Sequence, residues 1–429
     1  MLNRFKRAAS SPTSVTGNKK RKVVLVKQPD FVAEVIEISW KSGFEAARNK
    51  TKIVAPHWKK GVAVEEEDKP HEQKYASGSM RPGVYLVKSK KDADTFTVKL
   101  SVTKSEGQDP TGKLTGQLET LRFEGDCPTS VGEHVVKVKI VNLPDTVEHV
   151  DGDAKWSVKT AQGEFPQRDK TRLELFFVLD RPPAFYVQGP WVEALRFVFK
   201  RAKIGGSSDP IFIGGRISKY CHGGHGMRYD VLQGRSAFGG HHYAKAPFQL
   251  MSYMNWKTLP PGLVTPYGDK IQNVVNCYDQ AAAVQALAGV VGVKAIWVFA
   301  NPYGYIKQSN LVGVGACNNP FFKSPGATIT PVTTADDPAR TPFGNHAFVQ
   351  LNDKSGGILD ACAGPHTGKE SIVEYIANAV DGVRSLTYFD FVRDLAANVG
   401  KTPKTGAEYC QFLADEKALY RPAAIPEVQ

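Results

Sequence analysis

The sequence predicts an α+β protein in which an antiparallel β-sandwich module, or two small ones, precedes a domain of mixed helices and strands. Three observations carry that reading. Residues 22 to about 204 run strand after strand, with apolar and polar residues alternating. A Gly/Ser-rich run, Lys203-Ile204-Gly205-Gly206-Ser207-Ser208-Asp209-Pro210, then marks a change of pattern. Beyond it helices and strands mix, and a cysteine, a histidine and an aspartate fall in that order at the ends of successive elements.

At 429 residues the chain is long enough for two or three domains, and 41% hydrophobic with 23% charged residues suits a globular protein with a sizeable core. A formal net charge of +12 suits an acidic partner: nucleic acid, an anionic polymer or an anionic membrane surface. The cysteines at 127, 221, 277, 317, 362 and 410 are widely spaced and form no Cys-x-x-Cys. Free thiols, made in a reducing cytoplasm, are therefore expected, with disulfide pairing left open. The basic stretch at the start has no apolar core of a secretory signal, so work outside the cell needs a signal-peptide-independent route. The longest apolar run, Ala281 to Ala300, is broken by Gln285, Lys294 and glycines. It reads as a helix followed by a strand, and no integral membrane segment is expected.

Taken in order, residues 1–21 read as a disordered, basic, Ser/Thr-rich tail. Its end, Lys19-Lys20-Arg21-Lys22, is a nuclear import signal, a polyanion contact or simply a solvated tail. The β module spans 22–204. Val23–Val26, Val32–Trp40, Gly83–Val87, Thr95–Val102, Leu114–Phe123, His134–Val141, Lys155–Thr160, Arg172–Leu179 and Ala194–Phe199 all suit extended chain. Phe96, Val98 and Leu100, for instance, share one face of their strand, and polar residues share the other. Turn clusters such as Gly107-Gln108-Asp109-Pro110 and Asp180-Arg181-Pro182-Pro183 separate the strands. No catalytic constellation lies here, and the module reads as a targeting or scaffold unit.

The second domain spans 205–429. Residues 211–270 are rich in glycine, histidine and aromatics, with little periodicity. A helix from Cys277 to about Ala288 follows, then a strand Val293–Ala300 and a long Gly/Asn/Pro-rich loop over 301–343. Two strands come next, His346–Leu351 and Gly357–Asp360. Helical patterns return at Ser371–Val380, Tyr388–Ala397 and Ala407–Leu419.

The chemistry concentrates in three residues. Cys277 opens its helix behind Asn276 as cap, where unpaired N–H groups and the helix dipole favour a thiolate. Its own N–H faces a developing oxyanion. His346 is placed to take the thiol proton and return it to a leaving amine. Asp360, brought alongside by the Asn352–Gly356 turn, fixes the imidazole tautomer and stabilises the imidazolium. Set against this is the bland alternative of a buried cysteine and a satisfied strand histidine.

Cys277-Tyr278-Asp279-Gln280-Ala281, followed by Leu287-Ala288-Gly289-Val290-Val291-Gly292-Val293-Lys294-Ala295, resembles the cysteine helix and next strand of the transglutaminase-like superfamily. His346-Ala347-Phe348-Val349 is similar to that family's His-Ala-Trp-Val motif, with Phe348 for tryptophan. Leu359-Asp360-Ala361 is similar to its Leu-Asp-Pro element, with Ala361 for proline. The resemblance covers 270–365. It implies a papain-like α+β core and a Cys-His-Asp mechanism without metal or organic cofactor. The superfamily includes cross-linking enzymes, deamidases, peptidases and amidases, so it implies a reaction class more than a substrate. The 301–343 insertion is read as a substrate-shaping lid or a passive loop.

Gln272 and Trp256 carry N–H donors for a second oxyanion contact, with Gln272 preferred. Trp256, His241 and His242 are candidate substrate contacts. Cys221, His222, His225, His241 and His242 fit no finger or metalloprotease spacing, so they read as a glycine-rich loop with surface or cleft histidines and no metal is expected. Arg228 and Arg235 beside them suit an anionic substrate group. Three functions follow. One is a cysteine hydrolase or acyltransferase acting on a protein or peptide amide. The second is an inactive transglutaminase-like scaffold that binds a polyanion. The third is a secreted effector or toxin whose β module handles delivery.

Overall fold

The computed structural model describes residues 30–40, 46–48, 51–52, 58–62, 82–90, 94–231, 234–239, 247–258, 273–301, 303–307, 309–318, 340–388, 402–415, 419–420 and 425–429. The expected tail 1–21, the strand Val23–Val26, most of the helix Tyr388–Ala397, and Gln272, His241 and His242 lie outside the described residues. Among the described residues no helix is long and apolar enough to cross a membrane.

The first half forms one 10-stranded sheet. Its path runs Trp58–Lys59, Phe31–Ser39, Thr95–Ser105, Gly132–Ile140, Leu121–Pro128, Thr111–Leu118, Glu148–Thr160, Thr171–Val178 and Gly83–Leu86, with Gly163–Pro166 paired to Glu148–Thr160. Every pairing is antiparallel except the last, where Gly83 opposes Leu175 in parallel. The alternation of Thr95–Ser105 buries Phe96, Val98, Leu100 and Val102. Gly116 permits the crossing of Trp156 on the same buried side, since a Cβ there would sit 2.5 Å from the indole. The sheet rolls until its two ends meet: Trp40, just past the strand Phe31–Ser39, packs edge-on against Tyr85 of the final strand with ring centroids 6.4 Å apart.

The pairing is that of one curled antiparallel sheet, and the expected sandwich is not confirmed. Alternating burial is the same in a sandwich and in a rolled sheet, and only the pairing distinguishes them. Two elements also differ. Leu114–Phe123 is a hairpin of Thr111–Leu118 and Leu121–Pro128, turning at Glu119 with φ 50°, a left-handed position held without glycine. Ala194–Phe199, expected as a strand, lies in the helix Val192–Phe197 and the π-helical turn after it. Its buried run is apolar nearly all round, which removes the periodicity that separates helix from strand.

The second half holds a five-stranded antiparallel sheet in the order His366–Thr367, Ile358–Asp360, His346–Leu351, Ala295–Ala300, Leu419–Tyr420. The helices Pro210–Lys219 and Cys277–Gly289 pack on it. Among the described residues, helices Leu250–Met254, Ile372–Ala379, Gly382–Tyr388 and Gly406–Ala414 also belong to this half. Part of the expected 301–343 loop is ordered as a hairpin, Ser309–Leu311 with Gly315–Cys317, and docks through Val312 N–H on the Cys362 carbonyl at 2.9 Å.

The expected linker is tied down. Ser207 and Gly206 exchange backbone hydrogen bonds with Val147, and Ile204 is fully buried. Further upstream, Leu179 N–H bonds the Val291 carbonyl and Tyr186 Oη donates to Ala286 O at 2.8 Å. Both halves share one hydrophobic cluster. The segment 180–202 thus packs into the second half. A fragment 180–429 is expected to give a cooperative thermal transition, whereas 211–429 melts without one. Equal behaviour of the two by calorimetry would support the boundary at 205–210.

Glu174 joins the rolled sheet to the helix Val192–Phe197. Arg196 grips both of its oxygens, Nε at 2.9 Å, and His149 Nε2 reaches the same carboxylate at 2.9 Å. Burial works against the carboxylate, but Arg196 and His149 outweigh it and hold the group down to about 2. Its contribution is therefore full above the ordinary 4.5 and is lost as pH falls through about 2. Glu174→Gln leaves the guanidinium unpaired and is expected to cost ~3–5 kcal/mol. Denaturant melts between pH 2 and 7 should show its acid limb flattened relative to wild type.

Candidate active site

Asn276 caps the helix Cys277–Gly289 through a reciprocal capping box. Its Oδ1 accepts from Asp279 N at 3.1 Å, and Asp279 Oδ2 accepts from Asn276 N at 3.3 Å. Asp279 is wholly buried and also accepts from Ser236 Oγ, Ala237 N and Phe238 N at 2.6, 2.7 and 3.0 Å. It thereby straps the segment 234–239 over the helix start. Asn276 Nδ2 adds a bond to Gly234 O at 2.9 Å. Cys277 is thus fixed as the first helical residue, where its N–H has no intrahelical acceptor. The small buried residues Ala281, Ala282 and Ala283 allow the close packing behind it.

His346 opens its strand and is 0% exposed. The register Val349↔Leu359 puts Asp360 on the same sheet face as His346. Nε2 of His346 lies 2.8 Å from Asp360 Oδ2. The ring is clasped by Tyr303 and Phe343, with centroids at 4.7 and 4.8 Å. The other nitrogen, Nδ1, is buried and meets no acceptor at hydrogen-bonding geometry. Cys277 is nonetheless close enough to favour the ring's proton. Burial works against the imidazolium, but Asp360, and then Cys277, push the group up to about 10.

Asp360 is saturated with donors. Oδ2 accepts from His346 and from Tyr375 Oη at 2.9 Å, and Oδ1 accepts from Cys362 N at 2.7 Å and Ala363 N at 3.2 Å. Burial opposes its charge, yet His346 and these N–H groups hold it well below the usual carboxylate range. Burial pushes other thiols upward: Cys127 to about 11, Cys221 to about 12, and Cys362 and Cys410 above their ordinary value. None of those four has an imidazolium among the causes of its shift. Cys277 itself is 3% exposed, so an acyl donor reaches it only after movement of what covers it.

The remaining candidates are engaged by other partners or lie outside the described residues. Trp256 Nε1 already donates to His225 O at 3.0 Å, and the Lys257 ammonium lies 5.3 Å from its ring. Gln272, His241 and His242 fall outside the described residues. The histidines next to Cys221 are not surface groups of a loose loop: they lie at the end of a helix, in or next to its π-helical last turn. His225 is 4% exposed, bonded to Tyr253 O at 2.7 Å, and lowered to about 4 by burial. His222 Nδ1 bonds Ala361 O at 3.2 Å. Arg228 is exposed and pairs in register with Val274, three residues before the cysteine. Among the described residues one trio, His149, Asp151 and Glu174, brings metal-type donors within 4.8 Å. Arg196 and Arg172 already neutralise its carboxylates. The sequence gives no role to Tyr303 or Tyr375, and it names Asp279 only within the cysteine-helix motif. Only Asp279 left a signal there, as an acidic residue three places after a capping asparagine.

No family model and no curated protein matches the chain. Among solved structures, a transglutaminase of red sea bream is similar over 77% of this chain and 55% of its own length, with a TM-score of 0.37 and 10% identity. The chain thus spans about half the length of that protein. The likeness is distant and assigns no activity.

Proposed function

We propose that the chain is a cysteine-dependent acyltransferase or amidohydrolase acting on an amide of a protein or peptide. The observation that carries this is the buried imidazole of His346, bonded to Asp360 through Nε2 and raised in pKa by Asp360 and by Cys277, the first residue of the helix that Asn276 caps. With Nε2 bonded to Asp360, Nδ1 is the ring atom left to take the Cys277 proton. Attack on a carbonyl forms a thioester, and His346 gives its proton to the departing amine. Water or a second amine then takes the acyl group. The Cys277 N–H is one oxyanion donor, and Gln272 remains the proposed second. Arg228 is a proposed contact for an anionic substrate group.

An anionic partner draws support from a cleft of about 550 Å³ on the rolled sheet, lined by Lys59, Lys60, Arg168, Lys170 and Arg172 against Asp153 and Asp169. Delivery as an effector or toxin rests on the basic chain alone. The scaffold reading is favoured by one observation, the 3% exposure of Cys277. Mass spectrometry decides between the readings. Incubation with glutaminyl peptides, peptidoglycan fragments and a labelled amine should yield a thioester adduct at Cys277 and a cleaved, deamidated or amine-bearing product. Absence of adduct and product across such a survey favours the scaffold.

A further inference from the structure

We propose that Tyr375 and Tyr303 form a buried hydroxyl relay that tempers the grip of Asp360 on His346, with Tyr375 as the positioning residue. The proposal rests on the Cys277–His346–Asp360 reading above. Tyr303 Oη donates to Tyr375 Oη at 3.0 Å, and Tyr375 Oη donates to Asp360 Oδ2 at 2.9 Å. That oxygen is the one His346 Nε2 also uses, at 2.8 Å. The other oxygen is occupied by two backbone N–H groups. A phenol and an imidazole therefore compete for one acceptor atom, and each donor reduces what the carboxylate offers the other.

The relay is built, not incidental. Both tyrosines are wholly buried. Tyr409 Oη pins the Tyr303 carbonyl at 3.1 Å, and the Tyr303 ring also lies against His346. The Ser371–Glu374 capping box fixes the helix that carries Tyr375. Other titratable groups around the cluster include Cys277, Cys362, Tyr229, Asp279, His222 and His366, which packs edge-on against Tyr375 at 4.7 Å and pairs with Glu370. All of them remain in the variants below, so a difference between variants reports the hydroxyls.

The test is the rate of Cys277 alkylation by iodoacetamide across pH in the full chain, followed by mass at that residue. An ion-paired thiolate gives two inflections. The lower is formation of the pair and the upper is loss of the imidazolium. Tyr375→Phe removes one donor from Asp360, and the upper inflection is expected to rise by about half to one pH unit, the size one neutral hydrogen bond allows. Tyr303→Phe keeps the ring against His346 and should move it less, in the same direction. A merely structural role would lower the melting temperature and leave both inflections in place, which overturns the relay, as does a downward shift. A two-step wild-type profile that collapses in His346→Ala but keeps its upper inflection unmoved in Tyr375→Phe sinks the relay alone. A single inflection indifferent to His346→Ala sinks the triad and the relay with it.

Discussion

His346→Ala is expected to stop acyl transfer as completely as Cys277→Ala, each lowering the single-turnover rate by roughly 10⁴-fold or more. The two residues act as one unit: without the imidazole the thiol keeps its proton, and without the thiol the base has nothing to activate. The arrangement also predicts selectivity. Limited iodoacetamide should modify Cys277 before Cys127, Cys221, Cys362 and Cys410, whose thiols burial makes poor nucleophiles. In His346→Ala that preference should vanish. Turnover that survives Cys277→Ala, or first labelling elsewhere with activity intact, places the nucleophile on another residue.

Asp360→Asn is expected to cost roughly 10²–10⁴-fold, less than loss of either partner, because an orienting group assists the proton transfer without performing it. The carboxylate raises His346 to about 10 against the effect of burial. An ion pair raised in this way stabilises the fold fully below the ordinary 6.5, and that contribution is lost as pH rises through about 10. With the amide, only Cys277 still opposes burial, so the imidazolium and the alkaline limb of thiol reactivity should both move to lower pH. Asp360→Ala is also expected to spare more activity than His346→Ala. It strips an acceptor from four donors, however, so its melting curve has to be measured beside its rate. A wild-type rate in both Asp360 variants would mean that another group orients the ring.

The three candidate catalytic residues were legible because each ends or begins an element whose local pattern is strong. The strand His346–Leu351 has the bounds its apolar run suggests, and the Cys277 helix starts at its asparagine cap. Tyr375 was not legible in that way. It lies in a helix the periodicity marks, but which face of that helix meets Asp360 depends on how the helix docks. Tyr303 sits in a stretch that reads as loop. The rolling of the sheet was hidden for the same reason, since no local pattern says that Gly83 pairs with Leu175. Glu119 turns a hairpin without any of the usual turn residues at its corner, so Leu114–Phe123 read as one strand.

That parallel seam has a kinetic consequence. The hairpins of the rolled sheet join neighbours in the chain and can zip early, whereas Gly83–Leu86 must wait until Thr171–Val178 is in place. Trp40 and Tyr85 meet across the two ends of the sheet, so they come together only in that final closure. Until then the inner faces of Phe96, Phe123 and Trp156 remain open to water, and the chain passes through a stage in which its largest aromatic surface is exposed. Slow closure of those ends would therefore be expected to favour aggregation of newly made protein.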